Sequence, residues 1–527
     1  MGIYSVEGRT ITMYLKSFVV LPLAVLLVSC GGGGGGSTAP VSPAPTPTPT
    51  PVVPASSGLA SAASLAQQCV APRAGSTDRL GSIDTEKSWV RSFMDETYLW
   101  YKDIPAVDAS KYTLANNGNN VMQTLDAYFQ ALKTKNITAS GKLVDQFSFT
   151  VSTAELQNQQ SGVSSGYGFR RSLSSSLPPR VMRVLYVEQG SPAQLAGMQR
   201  GDTVTSIDGV DINDVTSAGV ATLNAGLAPT VPNKTTAFGL LAVNATVPRI
   251  VTMTSSQTVT VTPVALSKVL TDGANTIGYL VLNSFGVDSA EKQLIDAVTQ
   301  FKSANVTEMV IDLRYNGGGY LDISNELAWM IGDTNLAGKT FEKLTCNDKN
   351  NLSFCNQTDT FHQTSVGFSA APNQALPQLK LKRVFVLTSS NTCSASESVI
   401  NSLSPFMQVV RIGNTTCGKP YGFSYKDNCG TSYAAMQFKG VNASGFGDYA
   451  DGFAPTCPVA DDLAHQRGDP AELMLAGAMT YVRTGACPAA TSASEKHARS
   501  SVLQGDFMME RSPSEAVRVL GSSRIPR

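Results

Sequence analysis

Residues 384–397 read VFVLTSSNTCSASE, and this stretch decides the fold of the C-terminal half of the chain. The apolar run 384–387 is typical of a short buried strand. The residues after Ser394 predict a helix with an apolar side formed by Val399, Ile400 and Leu403. A serine at the junction of a strand and a helix lies beside the unpaired N–H groups of the first helical turn. The stretch therefore predicts a strand–helix unit that carries a nucleophilic serine.

The sequence around this stretch continues the alternation of strands and helices. Segments 277–282, 309–313 and 409–412 predict further short strands. Ser289 predicts the start of a helix with one apolar stripe, and the sequence from Asp469 predicts a final apolar helix through Ala478. Such β-α-β units indicate an α/β core, which we place at residues 269–487.

A lysine 25 residues after Ser394 completes a candidate catalytic pair. Residues 417–420 read CGKP, in a stretch with few other charges. A serine hydroxyl needs a base to accept its proton, and a lysine can serve when desolvation lowers its pKa. The three histidines, His362, His465 and His497, have no recognisable triad context. We therefore predict that Ser394 is the nucleophile and Lys419 the base.

A glycine-rich turn supplies candidate donors for an oxyanion hole. Residues 312–319 read DLRYNGGG, a strand end followed by three glycines that let a substrate approach the backbone closely. The N–H of Ala395, next to the nucleophile, is the other natural donor. Phosphate binding is the alternative function of such a turn, but no P-loop lysine with a following Ser or Thr is present.

Residues 161–268 form a second unit of short strands. They contain GYGF at 166–169, SPAQLAG at 191–197 and GDTVTSIDG at 201–209. Together these segments resemble a PDZ domain. The resemblance implies that the backbone of Gly166, Tyr167, Gly168 and Phe169 binds a peptide's C-terminal carboxylate while the peptide adds as an edge strand. The alternative is a packed β-module that only positions its neighbour.

Three motifs together resemble those of the carboxyl-terminal processing proteases, also called tail-specific proteases. The family's D-L-R-x-N-x-G-G, T-A-S-A-S-E and G-K motifs correspond to residues 312–319, 392–397 and 418–419, and the resemblance covers about 162–485. It implies Ser394 as nucleophile, Lys419 as general base, the N–H groups of Gly318 and Ala395 as the oxyanion hole, and no metal or organic cofactor. Phe423 stands where the family usually has a glutamine that orients the lysine, so another group must orient it here.

The N-terminus predicts export and lipid anchoring. The apolar segment 18–28 is too short to span a bilayer but suits a secretory signal, which we place at 1–29. LVSC at 27–30 resembles a bacterial lipobox, which implies acylation of Cys30. Gly31 after it favours the outer membrane of the cell envelope, facing periplasm or exterior. An ordinary signal peptide is the alternative. Residues 30–60, rich in Gly, Pro and Thr, predict a flexible tether.

Composition sets the remaining limits. A chain of 527 residues is too long for one core, so we also expect a helical domain at 61–160 and a disordered tail at 488–527. Forty basic and forty acidic residues cancel, which disfavours a nucleic-acid partner. The eight cysteines besides Cys30 predict disulfides in an exported protein. Cys346 and Cys355 can close one loop, and the other pairings stay open.

These features predict a multidomain α/β and α+β protein with a helical N-terminal region, a PDZ-like β-module and an α/β protease core. The predicted function is an exported serine endopeptidase whose partners are protein or peptide substrates and a membrane. One alternative is a catalytically inactive, protease-like scaffold of the cell envelope that binds peptides, motivated by Phe423. Another is an esterase or transpeptidase that acts on cell-wall peptides.

Overall fold

The computed structural model describes residues 58–489, except 230 and 232, together with the backbone of Met508–Met509. The predicted signal peptide, Cys30, most of the predicted tether and most of the predicted tail lie outside the described residues. Within the described ranges, none of the helices combines the length and the apolar composition needed to cross a membrane.

The first unit, up to residue 160, is mainly helical, as the sequence predicts. Its longest helix begins after Ser82, whose hydroxyl accepts the N–H of Thr85, and its apolar side buries Trp89, Val90 and Phe93. The elements are α1 Ala62–Leu65, β1 Gln68–Cys69, β2 Arg79–Leu80, α2 Ile83–Thr97, α3 Val121–Ala131, β3 Phe149–Ser152 and α4 Thr153–Gln160.

The second unit contains one antiparallel sheet of seven strands and a smaller sheet of two strands. The larger sheet has the order β10-β9-β7-β6-β5-β24, with β8 paired to β7, and the smaller joins β4 to β11. Ser191 caps a short helix with Pro192 at its first position. The elements are β4 Val163–Gly166, β5 Phe169–Leu173, β6 Met182–Val187, α5 Pro192–Leu195, β7 Thr203–Ile207, β8 Val210–Asp211, α6 Ser217–Leu227, β9 Thr235–Leu241, β10 Arg249–Thr254, β11 Ser256–Thr260 and, from the far C-terminus, β24 Met508–Met509.

The third unit is a six-stranded sheet with helices on both faces. Its order is β12-β13-β14-β17-β18-β23, parallel from β13 onward, with β12 antiparallel at one edge. The elements of this sheet and its helices are β12 Val264–Asp272, β13 Asn275–Leu282, α7 Ala290–Ser303, β14 Glu308–Asp312, α8 Leu321–Ile331, β17 Arg383–Thr388, α9 Ala395–Leu403, β18 Gln408–Gly413, β23 Cys457–Pro458 and α10 Leu473–Thr484.

Alternation along β17 shows how both faces of this sheet are filled. Val384 and Val386 pack with the apolar sides of α7, α8 and α9, whereas Phe385 and Leu387 pack with α10. A strand with both faces buried has a continuous apolar sequence, which is why 384–387 contains no polar residue. The strand end, and the turn that follows it, are thereby fixed between two layers of helices.

Two smaller sheets complete the third unit and connect it to the first. One has the order β16-β15-β22-β19. The other, β20-β21-β3, includes a strand of the helical unit. Tyr433 on β21 packs against Trp89 and Phe129 of that unit. The elements are β15 Thr340–Cys346, β16 Thr358–Thr360, β19 Tyr421–Gly422, β20 Lys426–Asn428, β21 Thr431–Ala434 and β22 Phe438–Val441.

A buried charged cluster joins the second unit to the third beside the glycine-rich turn. The Arg314 guanidinium is fully buried and pairs with Asp312 at 2.9 Å, Glu472 at 2.7 Å and Asp461 at 2.8 Å. Arg200 from the second unit donates to the same Asp461 carboxylate at 2.6 Å and to the Tyr315 hydroxyl at 2.6 Å. Through Asp461 and Tyr315 the cluster links Arg200 of the second unit to Arg314 of the third.

All eight cysteines of the described residues form disulfides. The pairs are Cys69–Cys429, Cys346–Cys355, Cys393–Cys417 and Cys457–Cys487. The bridge from Cys69 connects the helical unit to the loop between β20 and β21. The sequence anticipated only the short loop closed by Cys346 and Cys355.

A buried acid on β15 predicts a pH-dependent stability. Burial, with the Asp359 carboxylate nearby, raises the pKa of Glu342 to about 8. The folded state therefore keeps a proton that the unfolded state releases above pH 4.5, so the free energy of unfolding falls as the pH rises from about 4.5 to about 8. We expect Glu342→Gln to remove the contribution of this carboxyl to the pH slope. At pH 8 the free energy of unfolding of the variant should exceed that of the wild type by on the order of 2 kcal/mol.

Urea unfolding measured at pH 5 and pH 8 tests this expectation. Asp296→Asn, on the exposed side of α7, is the matched control and should leave the slope unchanged. An equal pH slope in wild type and Glu342→Gln would show that this carboxyl does not hold the proton.

Candidate active site

Ser394 lies at a sharp turn between β17 and α9. Its backbone has φ 56° and ψ −118°, which residues other than glycine rarely adopt. The turn is held from the neighbouring strand end, because Thr392 Oγ1 donates to the Leu313 carbonyl at 2.9 Å and the Cys393 N–H donates to the Asn316 carbonyl at 3.0 Å. A strained serine between a strand and a helix is also the arrangement that exposes the nucleophile in α/β-hydrolases.

The glycine-rich turn lies directly against this serine. A Cβ added at Gly318 would lie 2.7 Å from the Ser394 Cβ and 3.1 Å from the Ala395 nitrogen. The Ala395 N–H is the first of α9, where no preceding helical turn provides an acceptor. The Gly318 N–H, in contrast, donates to Asn316 Oδ1 at 2.9 Å. The Gly318 N–H can therefore donate to an oxyanion only if it donates to both acceptors at once or gives up its hydrogen bond to Asn316.

The close approach at Gly318 gives a prediction with a matched control. We expect Gly318→Ala to lower kcat on a peptide substrate by about 100-fold or more, because its φ of +104° disfavours alanine and the new methyl would meet Ser394. Gly317→Ala is the control, since an added Cβ there contacts nothing within 4 Å. Both variants should be compared in kcat and thermal unfolding. Equal kcat values would exclude the Gly318 backbone from the reacting site.

Glu397 connects Ser394 to the segment that carries Lys419, a contact that the sequence did not predict. Its buried carboxylate accepts the N–H of Ser394 at 3.0 Å, of Lys419 at 2.8 Å and of Gly418 at 2.9 Å, and the hydroxyl of Thr416 at 2.5 Å. Burial raises its pKa, which these four donors oppose. Because Thr416, Gly418 and Lys419 lie 19 to 22 residues after Glu397, these contacts leave no local pattern in the sequence.

A disulfide reinforces the same connection. Cys393, which precedes Ser394, is bonded to Cys417, two residues before Lys419. The Cys417 N–H also donates to the Thr392 carbonyl at 3.0 Å. The segments that carry Ser394 and Lys419 are thus joined by one disulfide, one shared carboxylate and one backbone hydrogen bond.

The Lys419 side chain is half-buried and its amine faces two aromatic rings. The Nζ atom lies 5.4 Å from the centre of the Phe147 ring and 4.9 Å from the centre of the Phe423 ring. Phe147 comes from the helical unit, between α3 and β3. Phe423 is the residue that stands where the resembling family usually has glutamine.

The predicted peptide-binding loop forms a separate feature in the second unit. The Tyr167 side chain is buried, and its hydroxyl donates to Thr236 Oγ1 at 2.8 Å, so this residue offers a ligand only its backbone. Gly166 and Gly168 have φ of 118° and 78°, which turn the loop into β5. The outer edge of β5 pairs with β24 through Leu173↔Met508 and Ser172↔Met509.

Each described histidine pairs with an aspartate three residues before it. His465 pairs with Asp462 at 2.6 Å, and His497 lies outside the described residues. One group with metal-ligand geometry is formed by Asp322, Asp359 and His362, whose ligand atoms lie within 4.8 Å of one another. A second group, Cys393, Glu397 and Cys417, contains two sulfurs that are joined in a disulfide and are therefore not free thiolates.

Comparison with protein-family models gives three matches. Residues 276–435 match peptidase family S41, residues 183–220 match the PDZ domain and residues 85–149 match the peptidase S41 N-terminal domain. The first match contains Gly318, Ser394 and Lys419. The PDZ match begins after the 166–169 loop.

Curated and solved relatives agree with these matches. A carboxyl-terminal-processing protease of Synechocystis is 25% identical over 264 residues, which are 50% of this chain and 55% of that protein. The chloroplastic carboxyl-terminal-processing peptidase 1 of Arabidopsis thaliana is 26% identical over 288 residues, 54% of this chain and 53% of that protein. The chain thus spans about half the length of these relatives. A solved S41 protease structure from Bacteroides fragilis is 26% identical, with a TM-score of 0.58, and the match covers 75% of this chain and 97% of that one.

Proposed function

This chain belongs to peptidase family S41 and carries a PDZ domain, and from that premise we propose that it is a serine endopeptidase of the carboxyl-terminal processing type. Ser394 is the nucleophile and Lys419 the general base. The observation that carries the proposal is the Glu397 carboxylate, which binds the N–H groups of both residues at 3.0 and 2.8 Å. The match to S41 peptidases supports the reaction class.

The proposed reaction proceeds through an acyl-enzyme. Lys419 Nζ accepts the Ser394 hydroxyl proton while the serine oxygen attacks the scissile carbonyl carbon. The Ala395 N–H stabilises the resulting oxyanion. The Gly318 N–H also donates to the oxyanion once it has given up its hydrogen bond to Asn316 Oδ1. The lysine then returns the proton to the leaving amine as the peptide bond breaks. A water molecule, deprotonated by the same amine, hydrolyses the ester and regenerates the serine.

We assign substrate recognition to the PDZ domain. A peptide's C-terminus or extended segment adds to the edge of β5 and places its carboxylate at the backbone of Gly166, Tyr167, Gly168 and Phe169. The two positive-φ glycines of this loop support the assignment. Because β24 pairs with the same edge, a bound peptide and β24 compete for the backbone groups of β5.

Labelling with a serine-directed phosphonate tests the catalytic proposal. We expect the phosphonate to modify Ser394, identified by peptide mapping, and to abolish cleavage of an unfolded model protein. A protease-like scaffold would bind C-terminal peptides yet stay unmodified, and that result would overturn the proposal. Comparing unfolded proteins, short esters and muropeptides as substrates separates a peptidase from an esterase or transpeptidase.

We also propose attachment to the bacterial cell envelope, most simply the outer membrane, through acylated Cys30. The support is the lipobox-like LVSC sequence followed by a Gly/Pro/Thr-rich segment. We expect the wild-type protein, expressed in a Gram-negative host, to fractionate with membranes and Cys30→Ser to move largely to the soluble periplasmic fraction. Equal membrane association of the two proteins would contradict lipid anchoring at this cysteine.

A further inference from the structure

We propose that Phe147 and Phe423 form an aromatic cradle that positions the amine of Lys419 and favours its protonated form during catalysis. The inference rests on the proposed function, because it assigns to these two rings the orientation of the general base. It also makes the helical unit part of the active site, since Phe147 belongs to that unit.

The geometry of the cradle is the first support. The two ring centres lie 5.4 and 4.9 Å from Lys419 Nζ, within the distance of about 6 Å at which a ring face attracts an ammonium group. Phe423 follows the lysine by four residues, so the chain brings one wall of the cradle with the base itself. The other wall comes from a residue 272 positions earlier in the chain.

Each ring is held firmly by neighbouring groups. The Phe147 side chain is only 6% exposed, and its N–H donates to Asp145 Oδ1 at 3.1 Å. The same Asp145 carboxylate accepts the Tyr98 hydroxyl at 2.6 Å, which ties the loop to the end of α2. Phe423 packs edge-on against Phe149 at 5.8 Å and Tyr425 at 5.0 Å. These contacts keep both rings beside the amine.

The chemistry explains how two rings can replace a hydrogen-bonding side chain. A glutamine would orient the lysine through its carbonyl oxygen, whereas a ring face attracts the ammonium through its quadrupole. Lys419 becomes an ammonium when it takes the serine proton, so the rings stabilise the charge that develops at that step. The same attraction makes the resting amine hold a proton more tightly.

The rates of leucine variants test the cradle. Phe423→Leu and Phe147→Leu keep an apolar wall but remove the quadrupole. We expect kcat to fall by about 10-fold with KM within twofold, and Phe423→Tyr to restore most of the loss. Phe129→Leu, a buried phenylalanine of the same apolar cluster, is the matched control for altered packing. Thermal unfolding of each variant shows whether it folds.

The pH dependence gives a readout that a purely structural role would not move. Without a ring face the amine binds its proton less tightly, so the acidic limb of the kcat/KM profile should move to lower pH by about half a unit. The titration midpoint of the Lys419 side chain should move by the same amount in the leucine variants. It is measured by NMR in lysine-labelled protein that also carries Ser394→Ala, and the Lys419 signal is assigned by its loss in Lys419→Arg.

The outcomes for the two proposals are distinguishable. If wild type cleaves and Ser394→Ala does not, but both leucine variants match Phe129→Leu in kcat and in titration, the cradle is wrong and the peptidase assignment stands. If wild type neither cleaves nor reacts with phosphonate, the peptidase assignment fails. The Lys419 titration then decides alone whether the rings hold the ammonium, and an unmoved midpoint overturns the cradle.

Discussion

Replacing Ser394 with alanine is expected to lower kcat/KM by about 10⁴-fold or more, since the proposed mechanism then keeps only the contribution of the oxyanion hole and substrate binding. Folding should be unaffected. The backbone N–H of residue 394 still donates to Glu397, and its carbonyl still accepts the N–H groups of Glu397 and Ser398 at 2.7 and 2.8 Å. The assay is cleavage of an unfolded protein, with far-UV circular dichroism and thermal unfolding as checks of the fold.

Ser396→Ala provides the comparison within the same turn. Its hydroxyl donates to the Asn316 carbonyl at 3.0 Å, so its loss should cost about 1 kcal/mol of stability and less than a tenfold change in kcat. A Ser394→Ala protein that cleaves at more than about a hundredth of the wild-type rate would place the nucleophile elsewhere. A larger loss in Ser396→Ala than in Ser394→Ala would do the same.

The four inner strands of the central sheet could be predicted from the sequence because they are largely buried on both faces. The predicted segments 277–282, 309–313, 384–387 and 409–412 fall on the strands Asn275–Leu282, Glu308–Asp312, Arg383–Thr388 and Gln408–Gly413. Double burial leaves a continuous apolar run that a single sequence displays. The boundaries differ by one or two residues, because polar residues at strand ends still take part in the ladder.

The last helix shows why a local signal can misplace an element. The sequence predicted its start at Asp469, from an acidic residue followed by proline, but the helix begins at Leu473. Glu472 is the cap, because its carboxylate accepts the Leu475 N–H at 3.0 Å. That carboxylate is also bound by Arg314, 158 residues earlier, so a long-range ion pair selects which of two acidic residues caps the helix.

The candidate site could be predicted where its residues lie in short sequence motifs, and not where they lie outside such motifs. The nucleophile motif and the lysine were identified as candidates from short motifs, and the structure brings their backbones together. What faces the amine was left open, because Phe147 belongs to another unit and has no periodic or motif signal of its own. The Cys69–Cys429 bridge, which spans 360 residues, was unpredictable for the same reason.

Replacing Lys419 with methionine is expected to lower kcat/KM by about 10³-fold or more, because the serine then has no base while the apolar stem of the side chain is preserved. Lys419→Arg separates the positive charge of the side chain from its ability to accept a proton. Arginine keeps a positive charge near the rings of Phe147 and Phe423 but cannot accept a proton at neutral pH, so it should be as inactive as methionine if the lysine is a base. Lys426→Met, at an exposed position on β20, is the matched control and should retain the wild-type rate.

The arginine variant gives the sharper result of the two. If Lys419→Arg kept most of the activity, the positive charge alone would be sufficient, and Lys419 would stabilise the oxyanion or bind the substrate rather than deprotonate Ser394. If both variants lose activity while phosphonate still reacts slowly with Ser394, the nucleophile is intact and only its activation is missing. That combination is the result expected for a serine whose proton leaves to the neighbouring amine.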